Sequence, residues 1–158
     1  MADLYVPFFE ERFDAAEEQA DRLLDLLATE FDADPETALD VACGAGRHVL
    51  AFADRGLDAE GLDFSERFLD EARERELSDN AAFRHHDMRE LDEVTGSYDL
   101  VTSFWNSLGY YDRATDERVF EFVAGAETAV IYMTVEDLLT DDVRVAGARA
   151  RPTASSPS

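Results

Sequence analysis

The sequence predicts an α/β fold built on an open, doubly wound, mostly parallel sheet. Two observations carry this expectation. Short runs rich in aliphatic and β-branched residues alternate with helical patterns of about ten residues, and strands joined by such helices pair in parallel through right-handed crossovers. The first of these runs, Ala38-Leu39-Asp40-Val41-Ala42, passes through Cys43-Gly44-Ala45-Gly46 straight into a helix. In sheets of this kind ligands bind beyond the carboxyl ends of the strands, so function is to be sought in the turns that follow them.

The elements follow in order. From Asp14 the pattern is helical: Ala16, Ala20, Leu23, Leu24 and Leu27 recur on one face, with Asp14 as N-cap and Glu17 three residues on. Residues 1–36 are read as a helical segment that packs on the sheet and is broken by Asp32 to Glu36, which contains Pro35. After the buried strand Ala38 to Ala42 comes a helix from Arg47 to Arg55, stopped by Gly56. A strand from Ala59 to Asp63 precedes a helix from Glu66 to near Arg75, for which Ser65 is the N-cap. The breaker Ser78-Asp79-Asn80 introduces a strand from Ala82 to His86 and a turn at Asp87-Met88. Tyr98 to Phe104 is the next strand, Asp116 to Ala124 the next helix, ended by Gly125, and Thr128 to Thr134 the last strand. Residues 37–142 form the core in this reading. The segment 143–158, with three arginines, no acid, two prolines and a serine-rich end, is expected to be a disordered tail.

Composition narrows the function classes. A chain of 158 residues suits one domain and can bury roughly 70% of the surface its unfolded form exposes. Acids number 37 against 14 basic residues, all arginine, for a formal net charge of -23. That field repels a nucleic acid over most of the surface. An acid-loaded, lysine-free surface is similar to that of proteins from salt-loving archaea, where screening removes the self-repulsion. Cys43 is the only cysteine, which excludes an intrachain disulfide and suits a reducing cytoplasm. The first residues have no basic n-region, and no apolar run reaches membrane-spanning length, so a soluble cytoplasmic protein is expected.

The chemistry concentrates at strand ends. Gly44 and Gly46 let the backbone take positive φ and let a ligand approach the main chain, while the N–H groups of the following helix can meet an anionic group such as a carboxylate. Seventeen residues beyond Gly46, Asp63 sits at the tip of the second strand, where a carboxylate can accept two hydrogen bonds from a ribose diol. Glycine loop and acid together describe a nucleoside crevice.

Asp40-x-Ala42-x-Gly44-x-Gly46 resembles motif I of the class I S-adenosylmethionine-dependent methyltransferases, and Gly61-Leu62-Asp63-Phe64-Ser65 resembles their ribose-binding motif. His86-Asp87-Met88 is similar to the adenine-contacting turn after the third strand. The run Tyr98 to Phe104 with Trp105, Asn106, Ser107 and Gly109 resembles motif IV. The resemblance covers about Thr37 to Thr134 and implies a Rossmann-like fold whose usual C-terminal strand pair is missing after Thr134. It implies that Ala42, Gly44 and Gly46 line the cofactor and that Asp40 meets its amino-acid end. It gives Asp63 and Phe64 the ribose side, Asp87 the adenine amino group and Met88 the adenine face. Phe104, Trp105 and Asn106 fall at the methyl end, Trp105 and Asn106 as acceptor-side candidates; no general base is implied. The cofactor is then S-adenosyl-L-methionine, and the acceptor a small molecule left unidentified.

Two other function classes remain beside this one. A nicotinamide-dependent oxidoreductase would use G-x-G-x-x-G, but Val49 stands at the third glycine position and Asp40 would repel a pyrophosphate. A non-catalytic S-adenosylmethionine-binding remnant of a truncated methyltransferase fits the loop equally well. An uncovered edge at Thr128 to Thr134 would suit pairing with a second copy, a homodimer. His85 and His86 point to opposite faces of a strand and offer no metal site as a pair. Cys43 is read as a small, partly buried residue without a partner base, and His48 as either a cofactor contact or a packing residue.

Overall fold

The computed structural model describes residues 5–75, 78–104, 112–124 and 129–133. Five strands form one sheet, β1 Thr37–Val41, β2 Asp58–Asp63, β3 Ala81–His85, β4 Leu100–Phe104 and β5 Ala129–Met133, in the order β3-β2-β1-β4-β5. Every pairing is parallel. The helices are α1 Tyr5–Phe31, α2 Arg47–Asp54, α3 Glu66–Arg73 and α4 Arg113–Ala124, with a 3-10 segment Met88–Glu93 after β3. Strand order reverses between β1 and β4, so the crevice opens at the end of β1, where the glycine loop lies.

Alternation along the strands sorts the core into two layers. Ala38, Ala59, Leu100 and Phe104 face a cluster with Ala20, Leu23 and Leu27 of α1, Val49 and Phe52 of α2 and Leu69 of α3. Their neighbours Leu39, Val41, Leu62 and Val101 face the opposite layer, with Leu91 and Val119. Among the described residues no buried side-chain nitrogen or oxygen lacks a partner.

Several boundaries differ from the sequence expectation for physical reasons. α1 begins at Tyr5, so Asp14 lies inside the helix and does not cap it. Pro7 falls in the first turn, where a missing N–H forfeits no helical bond. α1 lies against α2, and Arg55 closes the contact: its Nε donates to Asp21 Oδ1 at 2.5 Å and its Nη2 to the Glu17 carbonyl at 2.9 Å. β1 stops at Val41 because Ala42 turns left-handed, with φ 59°. β4 starts at Leu100, since Asp99 is used otherwise: its Oδ2 accepts from the N–H groups of Glu36 (2.8 Å) and Thr37 (3.2 Å), pinning the start of β1. α4 starts at Arg113, one turn earlier than expected, because Asp112 Oδ1 accepts from Thr115 N at 2.9 Å and Thr115 Oγ1 at 2.8 Å. β3 runs one residue earlier, from Ala81. Asn80 is more than a breaker: its Nδ2 donates to the carbonyls of Ala53 (2.8 Å) and Leu57 (2.9 Å), joining the end of α2 to the start of β3. The expected tail, 143–158, lies outside the described residues, as do both ends of the expected strand Thr128 to Thr134.

Candidate nucleoside-binding site

The loop between β1 and α2 is built from three left-handed residues, Ala42 (φ 59°), Gly44 (φ 58°) and Gly46 (φ 78°). Cys43 N still donates to the Leu62 carbonyl at 2.9 Å, one rung past the end of β1, and Gly46 N donates back to the Cys43 carbonyl at 3.1 Å. The glycines have different duties. A Cβ on Gly46 would lie 2.3 Å from Phe83 Cε1, so the glycine admits the ring of Phe83 beneath the start of α2. A Cβ on Gly44 would meet nothing within 4 Å, so its α-carbon faces open space where a ligand can approach the backbone. Gly61 on β2 serves the same close packing from below, since a Cβ there would sit 2.6 Å from Cys43 Sγ and 2.9 Å from Val49 Cγ2.

Asp63 ties the neighbouring strand tip to this loop. Its Oδ2 accepts from Gly44 N at 2.8 Å and its Oδ1 from Ser65 N at 2.8 Å, which fixes the carboxylate and leaves each oxygen a further lone pair. Ser65 Oγ in turn caps α3, accepting from Phe68 N. Beside Asp63 a cleft opens whose apolar lining is Val41, Leu62, Met88 and Leu91, with Ala42, Phe64 and His86 completing it. Phe64 is 57% exposed and tilted against the ring of His85, at 5.5 Å and 37°.

Asp40 lies behind the loop, 2% exposed. The register pairs it with Thr102 of β4, whose Oγ1 donates to Asp40 Oδ1 at 2.9 Å. Burial raises its pKa to about 7, against the lowering effects of the Thr102 bond and of Arg47. Burial likewise holds the Cys43 thiol well above its ordinary range, so it is a protonated packing group and no nucleophile. His48, in the first turn of α2, packs: it is buried, its Nε2 meets Gln19 Oε1 at 2.7 Å, and its ring stacks on Phe104 at 3.8 Å and 14°. Burial and the nearby Arg47 lower its pKa to about 3, so the ring is neutral. Phe104 is itself buried, in the same core cluster.

Asp87 begins the turn after β3 and is bound there by one residue. Its Oδ1 accepts from Arg89 N at 2.9 Å and Arg89 Nε at 3.0 Å, and its Oδ2 from Arg89 Nε at 3.0 Å and from Arg89 Nη2. These bonds hold its carboxyl below the usual range. The sequence reading gives this carboxylate to an adenine amino group; in the structure its oxygens accept from Arg89. The structure brings Ala42, Asp63, Phe64 and Met88 to one cleft, with Gly44 and Gly46 in the loop that borders it. Trp105 and Asn106 lie outside the described residues. Sequence reasoning missed Thr102 and Gln19, and named His86 only as part of the turn after the third strand. Gln19 carried a signal, a polar residue three positions after Ala16 and four before Leu23, on the apolar stripe of α1. Among the described residues no cluster of three His, Cys, Asp or Glu could hold a metal ion, and no helix is long and apolar enough to cross a membrane.

A parallel sheet in this order, with a left-handed loop after β1 and an acid fixed at the tip of β2, defines a doubly wound α/β protein with a candidate nucleoside crevice at its switch point. Residues 38–126 match the family model described as a methyltransferase domain, and the chain belongs to that family. It is 34% identical over 116 residues to the dTDP-3-amino-3,4,6-trideoxy-alpha-D-glucopyranose N,N-dimethyltransferase of Streptomyces venezuelae, covering 73% of this chain and 47% of that enzyme. It is 38% identical over 72 residues to the dTDP-3-amino-3,6-dideoxy-alpha-D-glucopyranose N,N-dimethyltransferase of Streptomyces fradiae, covering 46% of this chain and 27% of that one. The crystal structure of Streptomyces venezuelae DesVI superposes with a TM-score of 0.67 at 28% identity, over 83% of this chain and 56% of that one. S-adenosylmethionine-bound CalS10, an amino pentose methyltransferase from Micromonospora echinaspora, gives the same TM-score at 22% identity, over 83% of this chain and 55% of that one, a likeness of fold. The chain spans about a half of the Streptomyces venezuelae relative's length.

Proposed function

We propose that the protein binds S-adenosylmethionine and transfers its methyl group to a small-molecule acceptor. The observation that carries the reading is the Asp63 carboxylate, held by Gly44 N and Ser65 N at the edge of an apolar cleft. That arrangement offers acceptors to a ribose diol, an apolar slot to a base and open main chain at Gly44 to the amino-acid portion. Asp40 suits the ammonium: a buried carboxyl with a raised pKa regains its charge when a cation arrives beside it. The sulfonium supplies an already activated methyl group, so the protein's part is to hold the acceptor close and in line. Ala42, Gly44 and Gly46 would border the cofactor, Phe64 and Met88 would flank the nucleoside, and Phe104 would back the methyl end through its stack on His48. The N,N-dimethyltransferase names of two relatives support trying amines first as acceptors.

Calorimetric titration in concentrated potassium chloride tests the reading. S-adenosylmethionine and S-adenosylhomocysteine should bind and NADH should not. Asp63→Ala should weaken binding of both by roughly 1.5–3 kcal/mol, the scale of hydrogen bonds to a charged group; an unchanged affinity would remove the ribose role. Turnover against a panel of amines then separates an enzyme from a binding module.

The finer physiological reading is also ours: a cytoplasmic, salt-adapted protein that meets no nucleic acid. A lone buried thiol and a net charge of -23 support it. Among the described residues β5 has a neighbour on one side only, which supports pairing of two copies along it. A molecular mass in sedimentation equal to one chain at micromolar concentration would remove that pairing.

A further inference from the structure

Phe64 lines the cleft yet is 57% exposed, so core packing does little to hold its ring. What holds it comes from the next strand. The register sets His85, the last residue of β3, beside Asp63 at the tip of β2. His85 Nε2 lies 2.9 Å from the Phe64 carbonyl oxygen, and a carbonyl oxygen only accepts, so Nε2 carries the proton and donates. The two rings also lie together, with centroids 5.5 Å apart and a tilt of 37°, a separation at which aromatic pairs attract. Backbone and side chain of Phe64 are thus both held by one residue. The peptide group between Phe64 and Ser65 extends the arrangement to the acid: its C=O accepts from His85, and its N–H donates to Asp63 Oδ1 at 2.8 Å. Rotating that peptide plane would break both bonds, so the Phe64 ring keeps a fixed relation to the Asp63 carboxylate. His85 itself does not line the cleft.

We propose, in a step that rests on the cofactor reading above, that His85 is a positioning residue: it holds the Phe64 ring at the edge of the cleft before the nucleoside arrives. An exposed aromatic wall that is already ordered loses less conformational entropy when the ligand docks against it, and binding is tighter by that amount. His85 acts through Phe64 and touches no ligand.

A double-mutant cycle tests this, with S-adenosylhomocysteine titrated calorimetrically into the full chain in concentrated potassium chloride. His85→Ala should weaken binding about three- to tenfold, the range for releasing one side chain that the ligand must then order. His85→Gln, whose amide N–H has a similar reach to Nε2, restores the bond to the Phe64 carbonyl and should stay within about twofold of the wild type. Phe64→Ala should weaken binding as well, and in that background His85→Ala should cost less than about 1.5-fold more, because no ring is left to hold. A residue that serves stability alone would lower the melting temperature of His85→Ala and leave its affinity unchanged. That result, an unchanged affinity in Phe64→Ala, an equal loss from His85→Ala in both backgrounds, or a glutamine variant as weak as the alanine overturns the positioning role and leaves the cofactor reading standing. A wild type that binds no S-adenosylhomocysteine overturns both. Circular dichroism and the melting temperature of each variant show that it is folded at the temperature of the titration.

Discussion

Two buried ionisable side chains near the loop pull stability in opposite directions with pH. Asp40 has a folded pKa of about 7, above its ordinary 3.8, so the folded state holds the proton more tightly and stability falls as pH rises from about 4 through 7. His48 has a folded pKa of about 3, below its ordinary 6.5, so the unfolded state binds the proton and stability falls as pH drops from 6.5 towards 3. Between about pH 4 and 6.5 the two slopes offset. Asp40→Asn keeps an acceptor for Thr102 and removes one slope. Its melting temperature should therefore climb with pH across that window where the wild type is flatter, and at pH 8 the variant should be the more stable by an amount on the order of 4 kcal/mol. A parallel pair of pH profiles at fixed salt checks this, and coincident profiles would mean that Asp40 is not buried as a carboxylate. Ala42 makes a second residue-scale case. An alanine held at φ 59° carries local strain of roughly 1 kcal/mol, so Ala42→Gly should be neutral or stabilising by up to about 1 kcal/mol, although glycine loosens the unfolded chain. Urea denaturation measures it.

The junction of α2 with the sheet is where the element scale decides the site. α2 is only eight residues long and begins at a left-handed glycine with no side-chain cap. Tertiary packing holds it: Phe83 under Gly46, Cys43 and Val49 against Gly61, and Arg55 bridging to α1. Gly46→Ala meets both an unfavourable left-handed backbone angle and the Phe83 ring, and should cost more than about 2 kcal/mol. Gly44→Ala faces only the backbone penalty in the free protein, because its Cβ would point into open space. The predicted contrast is that Gly46→Ala lowers the melting temperature far more than Gly44→Ala, while both lose S-adenosylhomocysteine binding. This asymmetry was hidden in the sequence, where the two glycines read alike. The loop itself, the acid at the tip of β2 and the Ser65 cap were legible because they depend on local spacing. Thr102 was not, since it acts on Asp40 through cross-strand register, which leaves no short-range pattern. Helix starts went astray at α1 and α4 for the converse reason: Asp14 offered a plausible cap inside a longer helix, and Asp112, the cap that α4 uses, stood one turn earlier.

At the scale of the whole molecule the parallel sheet was readable because β1, β2 and β4 carry apolar residues into both layers, while the net charge was readable but silent about fold. Its consequence is for stability. The described ion pairs are largely exposed, such as Arg113 with Glu117 at 92% and 62% side-chain exposure and Arg67 with Glu71 at 87% and 40%. Pairs of that kind contribute about 0–1 kcal/mol each, too little to offset the mutual repulsion of 37 acids facing 14 arginines. Salt acts on the repulsion directly: the screening length shrinks from about 10 Å at 0.1 M to about 3 Å at 1 M, less than the spacing of most surface charges. The melting temperature should therefore rise continuously with potassium chloride, most steeply below about 1 M where screening is still incomplete. Sucrose, which strengthens burial without screening charge, separates the two causes. If it reproduces the whole rise, the stabilisation comes from exclusion at the surface; if potassium chloride exceeds it at matched osmolality, the acid excess is what the salt relieves. Lowering the pH towards the pI of 4.2 at low salt should mimic part of the same gain by discharging carboxylates, and a melting temperature indifferent to both salt and pH would show that this fold bears its charge without penalty.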